Sequence, residues 1–285
     1  MMIYKKYIIT GICQASNNMS FDIDRVAFSI FGIDIYWYAI IIICGILLAA
    51  QFAKKEFTRR GFDEDFIYDI LFVCLPIGII GARLYYVVFE WDYYGANPSQ
   101  ILNFRAGGLA IHGGILFGLI ALLIYAKKNL IPFWDLTDIM VPSLALAQAI
   151  GRWGNFANAE AHGGPTDLPW GIIIDGIKVH PTFLYESLGD LCIFLFLYFY
   201  YRKKNPAQGK QSAIYFIAYG VLRFFVEGLR TDSLYIGGLR TAQLMSLVFI
   251  IFGLALFIIS SKRNRPPYRY KSRKVKKEDK IIKFK

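Results

Sequence analysis

The sequence is short of charged residues and of paired cysteines, and each shortage excludes a class of protein. Charged residues make up 19% of the 285 residues, whereas soluble chains carry about 25%. The four cysteines form no Cys-x-x-Cys pair, which excludes a disulfide scaffold and a zinc cluster of the usual spacing. Apolar residues reach 56%, so intrinsic disorder and an ordinary water-soluble enzyme are both disfavoured. The composition predicts an integral membrane protein.

Long apolar stretches predict an all-α membrane protein with a polytopic bundle of about seven transmembrane helices. A helix needs about 20 apolar residues to cross a bilayer, and the alternation of a membrane β-barrel is absent from the sequence. The predicted spans are Ile33–Ala53, Phe66–Phe89, Leu109–Ala126, Phe133–Gly151, Pro181–Tyr201, Ser212–Glu227 and Thr241–Ser261. We therefore expect an extracytoplasmic amphipathic lead-in at 1–32, a membrane domain at 33–261 and a basic cytoplasmic tail at 262–285.

The distribution of positive charge predicts the orientation of the spans. Lysine and arginine crowd the connections after the first, third and fifth predicted spans and the segment after Ser261, while the alternate connections hold few. Because cytoplasmic loops carry this excess, we expect the N-terminus outside and the C-terminus in the cytoplasm. The same bias explains much of the net charge of +11. We therefore predict membrane lipids, and no nucleic acid, as the partners of the basic surfaces.

Polar residues at membrane depth mark candidate sites, because they are costly there. His112 lies among glycines, in Gly107-Gly-Leu-Ala-Ile-His112-Gly-Gly114, at the outer end of the third span. One interpretation is a boundary residue beside glycine-mediated helix packing. The other is a general base that a substrate can reach. The residues alone leave both interpretations open.

Two further segments combine arginine with acidic residues. The segment 148–171 places Arg, two Asn, Glu and His among glycines, and arginine presents a planar fork of donors that suits a phosphate. The sixth span carries Tyr219, Arg223, Glu227 and Arg230 at steps of four, four and three, which puts them on one helix face. A structural ion pair is the alternative interpretation of this face. A charged face is expected to line a cavity and not to face lipid.

The predicted outer ends of the first two spans carry aromatic residues and one more arginine. Tyr36, Trp37 and Tyr38 are typical of interfacial anchors, and Arg83 either snorkels outwards or joins an anion site. Together with the groups above, these cations map to one half of the membrane domain. A cationic cavity there would suit an anionic ligand embedded in lipid, such as a phospholipid head group. A membrane transporter or channel for an anionic small molecule is the alternative, although no internal repeat is evident.

The segment Gly151-Arg-Trp-Gly-Asn-Phe-Ala-Asn-Ala-Glu160, with Gly163 and Pro169-Trp-Gly171, closely resembles the signature of the bacterial prolipoprotein diacylglyceryl transferases. Other motifs of the chain resemble that family in the same order, from about residue 33 to about residue 260. They are Trp37-Tyr38, Gly81-Ala-Arg83, His112-Gly-Gly114, His180-Pro181 with Leu184-Tyr-Glu186, and the Tyr219-to-Arg230 face. One departure is Phe183, where the family commonly has glutamine.

The resemblance implies a transferase that moves the diacylglyceryl group of phosphatidylglycerol to the lipobox cysteine thiol of a prolipoprotein, without a cofactor or metal. It implies a bacterial cytoplasmic membrane and an active site facing the extracytoplasmic leaflet. Arg152 and Arg223 would be the essential arginines and His112 the candidate base. The predicted substrate-binding residues, from the resemblance and the polar faces above, are Tyr38, Arg83, Asn155, Glu160, Gly163, Tyr219, Glu227 and Arg230.

The implied reaction needs residues of these types. A free thiol has a pKa of about 8.5 and is mostly unreactive near neutrality until a base removes its proton, a task that suits an imidazole. The leaving phosphate monoester gains negative charge, which arginines in a low-dielectric cavity stabilise. The alternative to a histidine base is that the arginines themselves lower the pKa of the thiol.

Overall fold

The computed structural model describes residues 19–20, 24–104, 107–174 and 176–270. Most of the predicted lead-in and the tail beyond residue 270 lie outside the described residues. The order of elements is β1 (Met19–Ser20), β2 (Val26–Ile30), β3 (Ile33–Tyr36), α1 (Trp37–Arg59), α2 (Phe66–Phe89), α3 (Trp91–Ala96), a 3-10 helix (Pro98–Leu102), α4 (Ile111–Lys128), α5 (Phe133–Ala157), β4 (Ile172–Ile174), β5 (Ile177–Val179), α6 (Thr182–Leu195), α7 (Lys210–Leu229), β6 (Tyr235–Ile236), β7 (Leu239–Arg240) and α8 (Thr241–Arg263). A π-helical turn (Phe196–Tyr200) and a 3-10 turn (Tyr201–Lys204) continue α6.

Six helices of the described chain are long and apolar enough to cross a membrane. They are α1, α2, α4, α6 with its continuation, α7 and α8. This finding confirms the prediction of an all-α polytopic membrane protein. Helix α5 has 25 residues, the length of a span, but polar side chains such as Asp135, Asp138 and Arg152 lower its hydropathy. The fourth predicted span, Phe133–Gly151, is thus a helix that carries charge at both ends and is not among the six.

The predicted start of the first span at Ile33 is wrong, because residues Ile33–Tyr36 form strand β3. This strand pairs antiparallel with β2, and Trp37 begins the helix. The turn between the strands has positive φ at Phe31 (50°) and at Gly32 (77°), the backbone of a tight hairpin turn that no right-handed helix contains. Ser29 Oγ donates to Asp34 Oδ1 across the hairpin at 2.5 Å.

The chain forms two compact units. The first comprises the described residues within 1–47, 144–199 and 213–255, and the second comprises those within 48–143, 200–212 and 256–270. In the first unit, β4 pairs with both β1 and β5. Phe183, at the start of α6, is buried against this small sheet beside Ile172 and Val179. Its ring stacks on Phe156 at 4.7 Å, so the residue that departs from the family pattern is part of an apolar cluster.

In the second unit, α2 packs along α4 at glycines. A Cβ atom at Gly113 would collide with the backbone oxygen of Gly81 and the side chain of Tyr85. Small residues permit this close approach of two helices. Gly113 directly follows His112. Helix packing therefore accounts for this glycine independently of any role of His112.

The second unit also contains a buried ionic cluster. Glu56 is 2% exposed, and its two carboxylate oxygens contact Arg59 at 2.7 Å, Arg60 at 3.1 Å and Arg202 at 2.8 Å. Arg60 lies 3.4 Å from Asp135, which also accepts from the backbone N–H of Tyr268 at 2.8 Å. The first residues of the predicted tail therefore pack on the core of this unit.

Candidate active site

Two arginines from separate helices meet on one carboxylate in the first unit. Arg152 lies near the C-terminal end of α5, Glu186 in the second turn of α6, and Arg223 on α7. Arg152 Nη2 lies 2.5 Å from Glu186 Oε1, and Arg223 Nη1 donates to Glu186 Oε2 at 2.9 Å. Glu186 is 1% exposed, so its charge depends on these two guanidinium groups. The two arginines that the sequence predicts to act together therefore lie at one place.

The polar face of α7 continues this contact as a chain of ion pairs. Arg223 Nη2 lies 2.7 Å from Glu227 Oε2, and Arg230 Nε lies 3.9 Å from the same oxygen. Arg230 then donates through Nε and Nη2 to Asp232 at 2.9 and 2.7 Å. The predicted helix face is thus a continuous run of alternating charges. Three guanidinium groups gather at this end of α5 and α7.

The outermost pair of this chain responds to pH. The bidentate hydrogen bond from Arg230 holds the pKa of Asp232 below its ordinary value of 3.8. A carboxyl group whose pKa is depressed by folding stabilises the protein above its unfolded pKa, and the contribution is lost as the pH falls through the folded pKa.

We therefore expect Asp232→Asn to destabilise the protein at pH about 6 and to have no effect well below pH 3.8. Asp232 is half exposed, so the loss should be under about 1 kcal/mol. Thermal unfolding of both proteins in the same detergent, at both pH values, measures the difference. An equal effect at the two pH values would contradict this assignment.

Tyrosines and a second buried acid surround the arginine–glutamate contact. Tyr215 donates to Gln148 Oε1 at 2.7 Å, and its ring stacks on that of Tyr219 with centroids 5.8 Å apart. Asp190 lies one helical turn beyond Glu186 and is 0% exposed. The sequence prediction omitted Glu186 and Asp190 as site residues. Two acids four residues apart inside a predicted span were the signal that could have identified them.

The last turn of α5 carries the predicted Asn155, and the loop that follows carries the predicted Glu160 in an unusual backbone conformation. Asn155 Nδ2 donates to Glu160 Oε1 at 2.9 Å. The residues on either side of Glu160 have positive φ, 53° at Ala159 and 59° at Ala161. Such backbone angles are unfavourable for alanine and persist only where the surroundings enforce them. Here, the enforced turn brings Glu160 back beside the last turn of α5.

Backbone hydrogen bonds of Gly163 and Gly164 connect this loop to the beginning of α6 and the end of α7. The N–H of Gly163 donates to the carbonyl of His180 just before α6, and the N–H of Gly164 donates to the carbonyl of Leu229 at the end of α7, both at 2.9 Å. A Cβ atom at Gly163 would lie 2.6 Å from His180 Cβ and 3.0 Å from Leu229 O. Only glycine fits this position, so Gly163 has a structural role, and its predicted contact with substrate stays a prediction.

Tyr38 packs against the C-terminal end of α5 in the first unit. A Cβ atom at Gly154, two residues after Arg152, would lie 2.8 Å from the Tyr38 ring. The ring therefore packs directly on the backbone of α5 at Gly154, which has no side chain. Tyr38 is 39% exposed, which leaves part of the ring free for a ligand.

His112 and Arg83 belong to the second unit. His112 is the second residue of α4 and is exposed, with its ring 6.3 Å from that of Tyr85. Arg83 is 3% exposed, and its guanidinium donates to backbone carbonyls of the segment 100–108 at 2.6 to 3.1 Å. These bonds give Arg83 a structural task, and its contact with substrate stays a prediction.

Comparison with known proteins identifies the family of this chain. A family model described as prolipoprotein diacylglyceryl transferase matches residues 25–259. The phosphatidylglycerol–prolipoprotein diacylglyceryl transferase of Finegoldia magna is 55% identical over 240 residues, which cover 84% of this chain and 97% of that protein. The protein of the same name from Clostridioides difficile is 52% identical over 242 residues, covering 85% and 97%. The chain therefore belongs to the prolipoprotein diacylglyceryl transferase family.

Proposed function

We propose that this protein transfers the diacylglyceryl group of phosphatidylglycerol to the thiol of the lipobox cysteine of prolipoproteins. The sulfur displaces the phosphate oxygen from the glycerol carbon, a thioether forms and glycerol-1-phosphate leaves. The convergence of Arg152 and Arg223 on a single buried carboxylate carries this proposal. Two guanidinium groups that share one carboxylate are also spaced to share one phosphate, because both anions accept hydrogen bonds from the guanidinium fork.

The role of the arginines follows from the charge of the leaving group. A phosphodiester carries one negative charge, and the departing phosphate monoester gains a second as the carbon–oxygen bond breaks. Arg152 is 21% and Arg223 is 17% exposed at the side chain, so both act in a medium less polar than water, where they stabilise new charge more strongly. Their ion pairs with Glu186 hold both groups in place before the substrate arrives.

We propose that the site faces the extracytoplasmic leaflet of the bacterial cytoplasmic membrane. The excess of lysine and arginine in the connections on the other side supports this orientation. Both substrates are then confined to one leaflet, which lowers the entropic cost of their encounter.

The direct test is transfer of label. Membranes or purified protein are incubated with phosphatidylglycerol labelled in its acyl chains and with a lipobox peptide. We expect label on the peptide cysteine and release of unlabelled glycerol-1-phosphate. A peptide with serine in place of the cysteine is the control and should stay unlabelled. Failure of the cysteine peptide to acquire label would exclude the proposed reaction.

We assign the removal of the thiol proton to His112. The exposure of its side chain at the start of α4 supports this role, because a base has to reach the substrate. We expect His112→Gln to lower kcat by about 10²- to 10⁴-fold, the usual contribution of a general base, and to change the dependence of kcat on pH. Rates measured from about pH 5 to about pH 9 test this. An unchanged rate and pH profile would remove His112 as the base and favour a thiol activated by the arginines alone.

A further inference from the structure

Asp190 is a buried acid without a hydrogen-bond partner in the part of the chain that the structure describes. Its exposed fraction is 0%, and neither carboxyl oxygen has a hydrogen-bond partner among the described residues. An ionised carboxylate in such a place is strongly unfavourable, more so within a membrane-spanning helix. The reacting group of the proposed lipid is itself an anion, so the lipid phosphate would not neutralise a charge on Asp190. The carboxyl group therefore needs a proton.

The groups that face Asp190 from each neighbouring helix are consistent with this state. Glu186, on the same helix, disfavours a second negative charge one turn away. Arg152 on α5 and Arg223 on α7 favour it, but both already contact Glu186, and Arg223 also contacts Glu227. The remaining titratable neighbours are the tyrosines 215 and 219 of α7, which are neutral near pH 7.

We propose that Asp190 carries a proton in the resting protein and thereby keeps the arginine cluster from becoming net negative, which favours binding of the lipid phosphate. This inference rests on the proposed function. The guanidinium groups of Arg152, Arg223 and Arg230 contact three carboxylates, those of Glu186, Glu227 and Asp232. With Asp190 protonated, these positive and negative charges balance. Ionisation of Asp190 would make the cluster net negative, repel a phosphodiester of charge −1 and weaken lipid binding.

The proton itself is detected by infrared spectroscopy of the full-length protein in a detergent without ester groups, because lipid ester carbonyls absorb where a protonated carboxylic acid does. We expect the wild type to show near neutral pH a carbonyl band of a protonated carboxylic acid that Asp190→Asn lacks in the difference spectrum. Glu64→Gln, which alters an acid with 70% side-chain exposure, is the matched control and should keep the band. The wild-type spectrum needs no variant to fold. Absence of the band in the wild type, or its persistence in Asp190→Asn, would overturn the proposal.

The effect on binding is measured as KM for phosphatidylglycerol in the transfer assay. From about pH 7 to about pH 10, KM of the wild type should rise at least about tenfold as Asp190 ionises. In Asp190→Asn, which is unable to ionise there, KM should change less than about twofold over the same range. A purely structural role would alter KM equally at every pH. An alkaline rise of the same size in both proteins would contradict the proposal.

These outcomes separate the two proposals. If the wild type transfers no label at all, the proposed function fails while the infrared band still reports on the Asp190 proton. If transfer occurs and the band is absent, the function stands and the role of Asp190 is wrong.

Discussion

Arg152→Ala is expected to reduce diacylglyceryl transfer by at least about 10²-fold, because one guanidinium group directed at developing phosphate charge contributes that much or more. Arg152→Lys keeps the positive charge but loses the planar fork, so we expect it to recover only a small part of the rate. The measurement is initial transfer rate per folded molecule. Arg263→Ala, which alters an exposed arginine in the last turn of α8, is the control and should retain full activity.

The same substitution also leaves Glu186 with one arginine in place of two. Breaking a buried ion pair from one side can destabilise a protein by about 3–5 kcal/mol, so lost activity could reflect lost folding. The double variant Arg152→Ala with Glu186→Gln restores the balance of charge. It should recover stability without recovering transfer. Near-normal transfer by either folded variant would contradict the phosphate role of Arg152.

Glu56→Gln is expected to cause a large loss of stability. The glutamate neutralises arginines 59, 60 and 202, and Arg60 is 4% exposed. Glutamine has the same shape but no charge, so the buried Arg60 would retain only its 3.4 Å contact with Asp135. Removal of one partner from such a cluster costs about 3–5 kcal/mol.

The free energy of unfolding in mixed micelles, measured by titration with a denaturing detergent, tests this expectation. Glu64→Gln is the matched control, because Glu64 has 70% side-chain exposure and pairs only with Lys54 among the described residues, at 3.1 Å. An exposed pair contributes about 0–1 kcal/mol. Equal losses for Glu56→Gln and Glu64→Gln would show that the cluster around Glu56 contributes little.

The local pattern of apolar residues along the sequence was sufficient to predict the fold class and most of the helices. Apolar runs of span length leave few alternatives to a helix in lipid, because the backbone has to satisfy its own hydrogen bonds. The start of α1 was predicted wrongly, since hydropathy alone does not distinguish the apolar strand at Ile33–Tyr36 from a helix. The turn at Phe31-Gly32, with its positive φ values, was the decisive local feature.

Residue spacing alone predicted the candidate site only where its residues lie on one element. Steps of four, four and three placed Tyr219, Arg223, Glu227 and Arg230 on one face, and the ion pair between Arg223 and Glu227 follows directly from that spacing. The link from Arg152 to Arg223 runs through Glu186, on a third helix. No spacing within one segment specifies that contact, because it depends on how three helices pack.

The backbone bonds at Gly163 and Gly164 bear on the energetics of recognition. They join the loop after α5 to the beginning of α6 and the end of α7. The segments that carry Glu186 and Arg230 are therefore held in place before a ligand binds. Binding to donors that are already immobilised costs less conformational entropy than binding that first has to order those donors. More of the interaction energy between the protein and its substrate then remains available to lower the activation barrier of the transfer reaction.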